Sequence, residues 1–427
     1  MHVKKSTAMM KAHKRFLFMP VAYRTPILKK GNGAWVEDLD GNRFLDLMSG
    51  QFSLALGHSH REYARLLAAL ANKIVHTSTL HFSEEVLAGA SALASITAAG
   101  LKKTIFLSTG AEAVECALRH AKYFTGKDGV VALVRGYHGL TLATQSLSNA
   151  GLYAHPAIRD VYYIPTPDVH HVFSGQGSAM LVKCCLADAR KALARAKGTI
   201  AAFIVEPVIS VGGMIFPPPS FFKGIRALAR EHKALLIFDE CQTGLGRTGR
   251  WFGYEHTTVV PDMVVLAKAI GLGLPTSAVI MQERIARAIE GKIMHFSSHQ
   301  NDPHSGATVA FLINYMRRHR LLAQIRAKGS YFLRELTKLS LKRSLLQKPR
   351  GLGLMLGFDV PASEYHGVSL GQRLISLLEE EGVIVQATRR GTVFRILPSF
   401  EITKEQIDFF ISKLDKCLFV LEKDFVV

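Results

Sequence analysis

Long apolar runs are missing from this sequence. The longest, such as those around Phe203 and Leu236, fall well short of the ~20 residues that cross a bilayer, so no membrane partner is expected. Cysteine is scarce. Five in 427 residues, with Cys184 and Cys185 adjacent, offer no disulfide framework and no metal-ligand spacing. A reducing, cytoplasmic compartment and no metal are therefore expected. The basic opening MHVKKSTAMMKAHKRFLFMP lacks the apolar segment and small-residue cleavage site of a secretory signal, because Pro20 interrupts its short run. Acid is also short: 34 Asp and Glu against 53 Lys and Arg leave a net charge of +19. Such a balance suits nucleic acid, anionic membranes or anionic substrates. The basic residues are scattered in pairs such as Lys102-Lys103 and Arg317-Arg318, with no aromatic-interleaved stripe, and nucleic acid is not an expected partner.

What is present is a large core and many turns. Apolar residues make up 48% of the chain, and 35 glycines against 15 prolines fit an α/β protein with tight turns. Residues 1–25 read as an arm. From Ile27 onward, Gly31-Asn32-Gly33 and Asp40-Gly41-Asn42 punctuate a small antiparallel sheet. Helical spacing predicts helices near 60–75 and 83–98. Strands and helices then alternate: strands near 103–108, 129–134, 199–207, 234–240, 263–268 and 277–281, with helices near 111–124, 139–148, 179–196 and 221–231 between them. This alternation implies a mostly parallel sheet covered on both faces. Helices near 304–318 and 320–340 lead to strands near 352–360, 383–387 and 392–397 and helices near 369–381 and 404–420. The expected division is residues 1–60 (arm and small sheet), 61–320 (large α/β domain) and 321–427 (smaller α+β domain).

Chemistry concentrates in ALLIFDECQTGLGRTGRWFGYEHTTVVPDMVVLAKAI, residues 234–270. One apolar run ends at Asp239 and the next at Lys268, so an acid and a lysine emerge where buried strands stop. In open α/β sheets, ligands bind at the carboxyl ends of strands. Leu107-Ser108-Thr109-Gly110-Ala111-Glu112 lies where a strand turns into a helix, a place suited to an anion and equally to an ordinary Ser or Thr cap. GLGRTG (244–249) is neither a P-loop nor a dinucleotide fingerprint, since no Lys-Ser/Thr follows and the strand–helix spacing is wrong. A lysine able to form a Schiff base, a carboxylate for a pyridine nitrogen and a phosphate cup are the parts needed for pyridoxal 5′-phosphate.

STGAEAVECALR, GYHG, IVEPV, FDECQTGLGRTG, PDMVVLAKAIGLGLP, SSHQNDP and FRILP, in this order along the chain, resemble the class III (ω-type) aminotransferases of the fold-type I pyridoxal-phosphate family. The resemblance runs from about Pro26 to Leu421. It implies a large, mostly parallel domain and a smaller α+β domain built from both chain ends. It also implies a homodimer or higher oligomer, with the site at the subunit interface. By position, Lys268 would carry the Schiff base and move protons, Asp239 would pair with the pyridine nitrogen, and Gln242 would bond the ring hydroxyl. Tyr137 would stack on the ring beside His138, and Thr109, Gly110 and Ala111 would hold the phosphate. Ser298 would reach the phosphate from the neighbouring subunit, with Glu206 close by. Arg395 would grip a substrate carboxylate, although by itself it also fits a surface ion pair.

LDLMSGQFSLALGHSH is similar to 2,2-dialkylglycine decarboxylase, in which the residue at Gln51 helps to place a carboxylate for loss of carbon dioxide. Tyr137 and Val211 depart from that enzyme, and Tyr137 fits the wider aminotransferases. The expected activity is transfer of an amino group from an amino acid or amine to a keto acid or aldehyde. Decarboxylation-dependent transamination is the alternative, and a non-catalytic binding protein is a remote third reading that retention of Lys268 and Asp239 opposes.

Overall fold

The computed structural model describes residues 5–18, 26–148, 159–170, 177–196, 198–293, 295–365 and 367–425. Seven strands form the central sheet: β1 (Leu101–Leu107), β2 (Gly129–Leu133), β3 (Val161–Ile164), β4 (Ile200–Val205), β5 (Leu235–Asp239), β6 (Met263–Leu266) and β7 (Ser277–Gln282). Their order is β1-β7-β6-β5-β4-β2-β3, and only β7 runs against its neighbours. Every residue of β2, β4, β5 and β6 is buried, which is why these segments read as unbroken apolar runs: helices cover both faces.

The helix Gly110–Thr125 follows β1. Thr109 caps it by accepting from the Glu112 N–H at 3.2 Å, and Gly126 ends it at φ 66°, in the left-handed region that glycine enters freely. The helix Pro219–Glu231 begins with proline, whose missing N–H costs nothing in the first turn. Three N-terminal strands, Leu28–Asn32, Trp35–Asp38 and Arg43–Asp46, take a fourth, parallel partner from Val383–Ile384, so the two ends of the chain meet in one sheet. A second antiparallel sheet joins Gln347–Leu352, Met355–Asp359, Val393–Ile396 and Gln386–Thr388 in that order.

Sequence patterning and structure differ in several places. The expected helix at 139–148 is one turn, Leu142–Gln145, because Gly139 at φ 113° and the Thr141 cap delay its start; residues 149 and 150 lie outside the described set. Strand β3 was not expected, nor was Gln347–Leu352, and the supposed arm contains the helix Lys5–Phe16.

Candidate active site

All strands of the large sheet except β7 point their carboxyl ends the same way, and three adjacent ends deliver the charged groups. Glu206 follows β4, Asp239 closes β5, and Lys268 stands two residues after β6. Asp239 lies opposite Val265 in the β5–β6 register, and it lines one cavity with Lys268, whose charge acts on it. Lys268 itself has φ 55°, a left-handed conformation that costs a non-glycine residue free energy and that clusters at functional sites.

These groups line a cavity of about 640 Å³. Thr109, Gly110 and Ala111 form one wall at the start of the helix, where the first N–H groups have no acceptor within the helix. Tyr137, His138, Gln242 and Val211 line it as well, and Gln51 and Arg395 complete it from the N- and C-terminal segments. Ser298 is exposed and does not line this cavity.

Electrostatics separate the two buried acids. His138 Nδ1 lies 2.8 Å from Asp239 Oδ2, and the Cys241 N–H donates to Oδ1 at 3.0 Å. Burial alone would lift the Asp239 carboxyl; the bond to His138, aided by Cys241 and the Lys268 charge, outweighs it and holds the group below its usual range. Among the described residues Glu206 accepts a bond from the Tyr137 N–H alone, at 2.8 Å, and burial pushes it up to about 7. The His138 backbone is fixed by donating to Ser148 Oγ at 2.8 Å.

Arg395 is not a surface residue. It is 4% exposed, and none of its contacts among the described residues is an ion pair. It donates to Gln386 Oε1, sits 3.5 Å from Ser210 Oγ and lies 5.0 Å over the Phe52 ring. Burial lowers it to about 10, with the Glu206 charge opposing. Gln386 and Phe52 escaped sequence reading: their roles come from a cross-strand register and a turn that no local motif announces.

The residues present suit pyridoxal 5′-phosphate. Among the described residues His138 Nε2, Gln242 Oε1 and Arg395 Nε are buried polar atoms without hydrogen-bond partners, an arrangement that is costly unless a ligand meets them. A Cβ at Gly110 would lie 3.0 Å from Cys241 Sγ and 3.1 Å from the Ala267 methyl, so glycine lets the helix start approach this wall. The ionised Asp239 suits a protonated ring nitrogen.

A family model described as aminotransferase class-III matches residues 18–418. Acetylornithine aminotransferase of Methanosarcina acetivorans is 32% identical over 392 residues, 91% of each chain. Leucine/methionine racemase of Thermococcus litoralis is 29% identical over 416 residues, 94% of this chain and 93% of its own. Among solved structures, an (S)-enantioselective omega-transaminase from Thermomicrobium roseum matches with TM-score 0.90 at 26% identity, covering 98% of this chain and 100% of that one.

Proposed function

The chain belongs to the class III aminotransferases, pyridoxal-phosphate-dependent enzymes that move an amino group from a donor to a keto-acid acceptor, and from that premise we propose how its own residues divide the work. When bound, pyridoxal 5′-phosphate supplies an aldehyde that takes up the amino group and a ring that draws electrons from the carbon bearing it. Asp239, kept ionised by His138, would accept a bond from the ring's protonated nitrogen. Gln242 would bond the ring hydroxyl, Tyr137 would cover one ring face, and the helix start at Thr109–Ala111 would hold the phosphate. Lys268 would be the covalent anchor, and its free Nζ would take the proton from the donor carbon and, in the reverse half of the reaction, give a proton to the acceptor carbon. Arg395 orients donor and acceptor through a carboxylate, with Glu206 nearby.

The observation that carries this reading is Asp239: a buried, ionised acid at one strand end that shares a cavity with a lysine following the next. Replacing that lysine tests it. Lys268→Ala should lower turnover by at least ~10³-fold, followed by product formation from L-alanine and a keto acid, because no other amine stands in the cavity to move the proton. Turnover near the wild-type rate would sink the assignment.

Decarboxylation before amino transfer remains a second reading, favoured by Gln51 lining the cavity on a strained turn. The substrate 2-aminoisobutyrate has no α-proton, so carbon dioxide release from it in the presence of pyruvate would establish this route, and its absence would leave ordinary transamination. We also read residues 61–320 as the cofactor-holding domain, the working form as a homodimer with Ser298 serving the neighbour, and the location as cytoplasmic. No helix among the described residues is long and apolar enough to cross a membrane.

A further inference from the structure

Among the described residues, the direct contacts of the buried Arg395 cation are all uncharged, and Glu206 acts on it only through space. A guanidinium taken out of water without a carboxylate is costly, yet here the contacts are an amide oxygen, a hydroxyl and an aromatic face. Gln386 holds a particular place among them. It lies directly across from Arg395 in the antiparallel pairing of Gln386–Thr388 with Val393–Ile396, and it also lines the cavity. Guanidinium groups only donate, so the Gln386 amide must turn its oxygen toward Arg395. Glutamate has the same shape and would accept the same bond. It would also cancel the charge.

We propose that Gln386 is a positioning residue that sets the enzyme's preference for carboxylate-bearing substrates: a neutral acceptor that fixes the Arg395 guanidinium without neutralising it. The proposal rests on the reading of Arg395 as the substrate's carboxylate partner. A pre-oriented cation with no carboxylate in contact binds an incoming one strongly because the partner supplies the charge-assisted bonds. A cation already paired would have to exchange one carboxylate for another, and the gain would largely vanish.

L-Alanine and isopropylamine differ by one carboxylate replaced with a methyl group. Single-turnover reaction of the holoenzyme with each, followed by the change in cofactor absorbance, gives a second-order constant for both donors. Gln386→Glu is expected to lower the alanine-to-isopropylamine ratio at least tenfold, with the loss in the donor concentration dependence rather than in the limiting rate. Gln386→Met, which removes the acceptor without adding charge, is expected to lower the ratio about threefold, and it decides the matter if Gln386→Glu fails to load cofactor. Equal losses on both donors would make Gln386 merely structural and overturn the proposal, as would unchanged ratios. Arg395→Ala separates the two readings. If it abolishes the preference while both Gln386 variants keep it, only the present inference fails. If it too leaves the ratio unchanged, or the wild type shows no preference for alanine, the Arg395 reading falls and this inference with it.

Discussion

Glu206 is fully buried, and desolvation raises its carboxyl from 4.5 to about 7. Between those values the folded protein keeps a proton that the unfolded chain has released. Folding therefore loses stability as pH rises across this window, since the unfolded state binds fewer protons. The shift corresponds to ~3 kcal/mol at most, from about 1.4 kcal/mol per pKa unit. Urea titrations of the apoenzyme at pH 5 and pH 8 should show the wild type losing more stability than Glu206→Gln over that interval; parallel behaviour of the two proteins would rule out a buried proton at this position. Asp239, as deeply buried, goes the other way because His138 and the Cys241 N–H face it. Sequence exposed Asp239 and Lys268, since each closes or follows an apolar run that only a buried strand explains. It did not expose the environments that part the two acids, nor Gln386, whose meaning depends on the residue opposite it in a pairing set by distant chain.

The turn Ser49–Phe52 shows how an element can carry strain into the site. Ser49, Gly50, Gln51 and Phe52 all have positive φ, at 41°, 55°, 63° and 70°. For the non-glycine members a left-handed conformation costs roughly 1–2 kcal/mol each. The turn is held by Asp46, which accepts from the N–H groups of Met48 at 2.8 Å and Gly50 at 3.0 Å, and by Ser49 Oγ donating to the Leu397 carbonyl at 2.7 Å. What this arrangement delivers is Gln51 at the cavity and Phe52 beneath Arg395. Gln51→Gly should relieve part of the strain and stabilise the protein by about 0.5–1 kcal/mol in urea unfolding, while reducing turnover. A variant both less stable and fully active would contradict the idea that strain here serves the site. Local patterning could not show this turn, because LMSGQF contains one glycine where four left-handed residues are needed. Patterning succeeded where burial is uniform, as in β4 and β5, and failed at β3, a short edge strand whose first three residues are only half-buried.

At the scale of the whole molecule, one chain leaves large apolar residues in water. Val75 is 63% exposed, Leu80 84%, Phe82 74%, Ile293 79% and Phe296 63%. The two stretches that carry them are tied together: His76 Nδ1 and His299 Nδ1 lie 2.5 and 2.6 Å from the two oxygens of the buried Asp302. Grouped apolar exposure of this kind marks an association surface, and Ser298 stands within it, two residues from Phe296. A second copy of the chain seated here would cover the apolar side chains and bring Ser298 toward a neighbouring phosphate cup. Each copy carries +19, so association must work against overall repulsion, which salt screens, and added salt should not weaken an apolar contact. Light scattering should therefore give twice the 47.0 kDa chain mass at both low and high ionic strength. Phe82→Asp combined with Phe296→Asp should yield monomers that release cofactor at least tenfold more readily in equilibrium dialysis, because each site would lose its contribution from the other chain. Monomers that retain cofactor as tightly as the wild type would show that Ser298 does not reach across, and that one chain holds the phosphate alone.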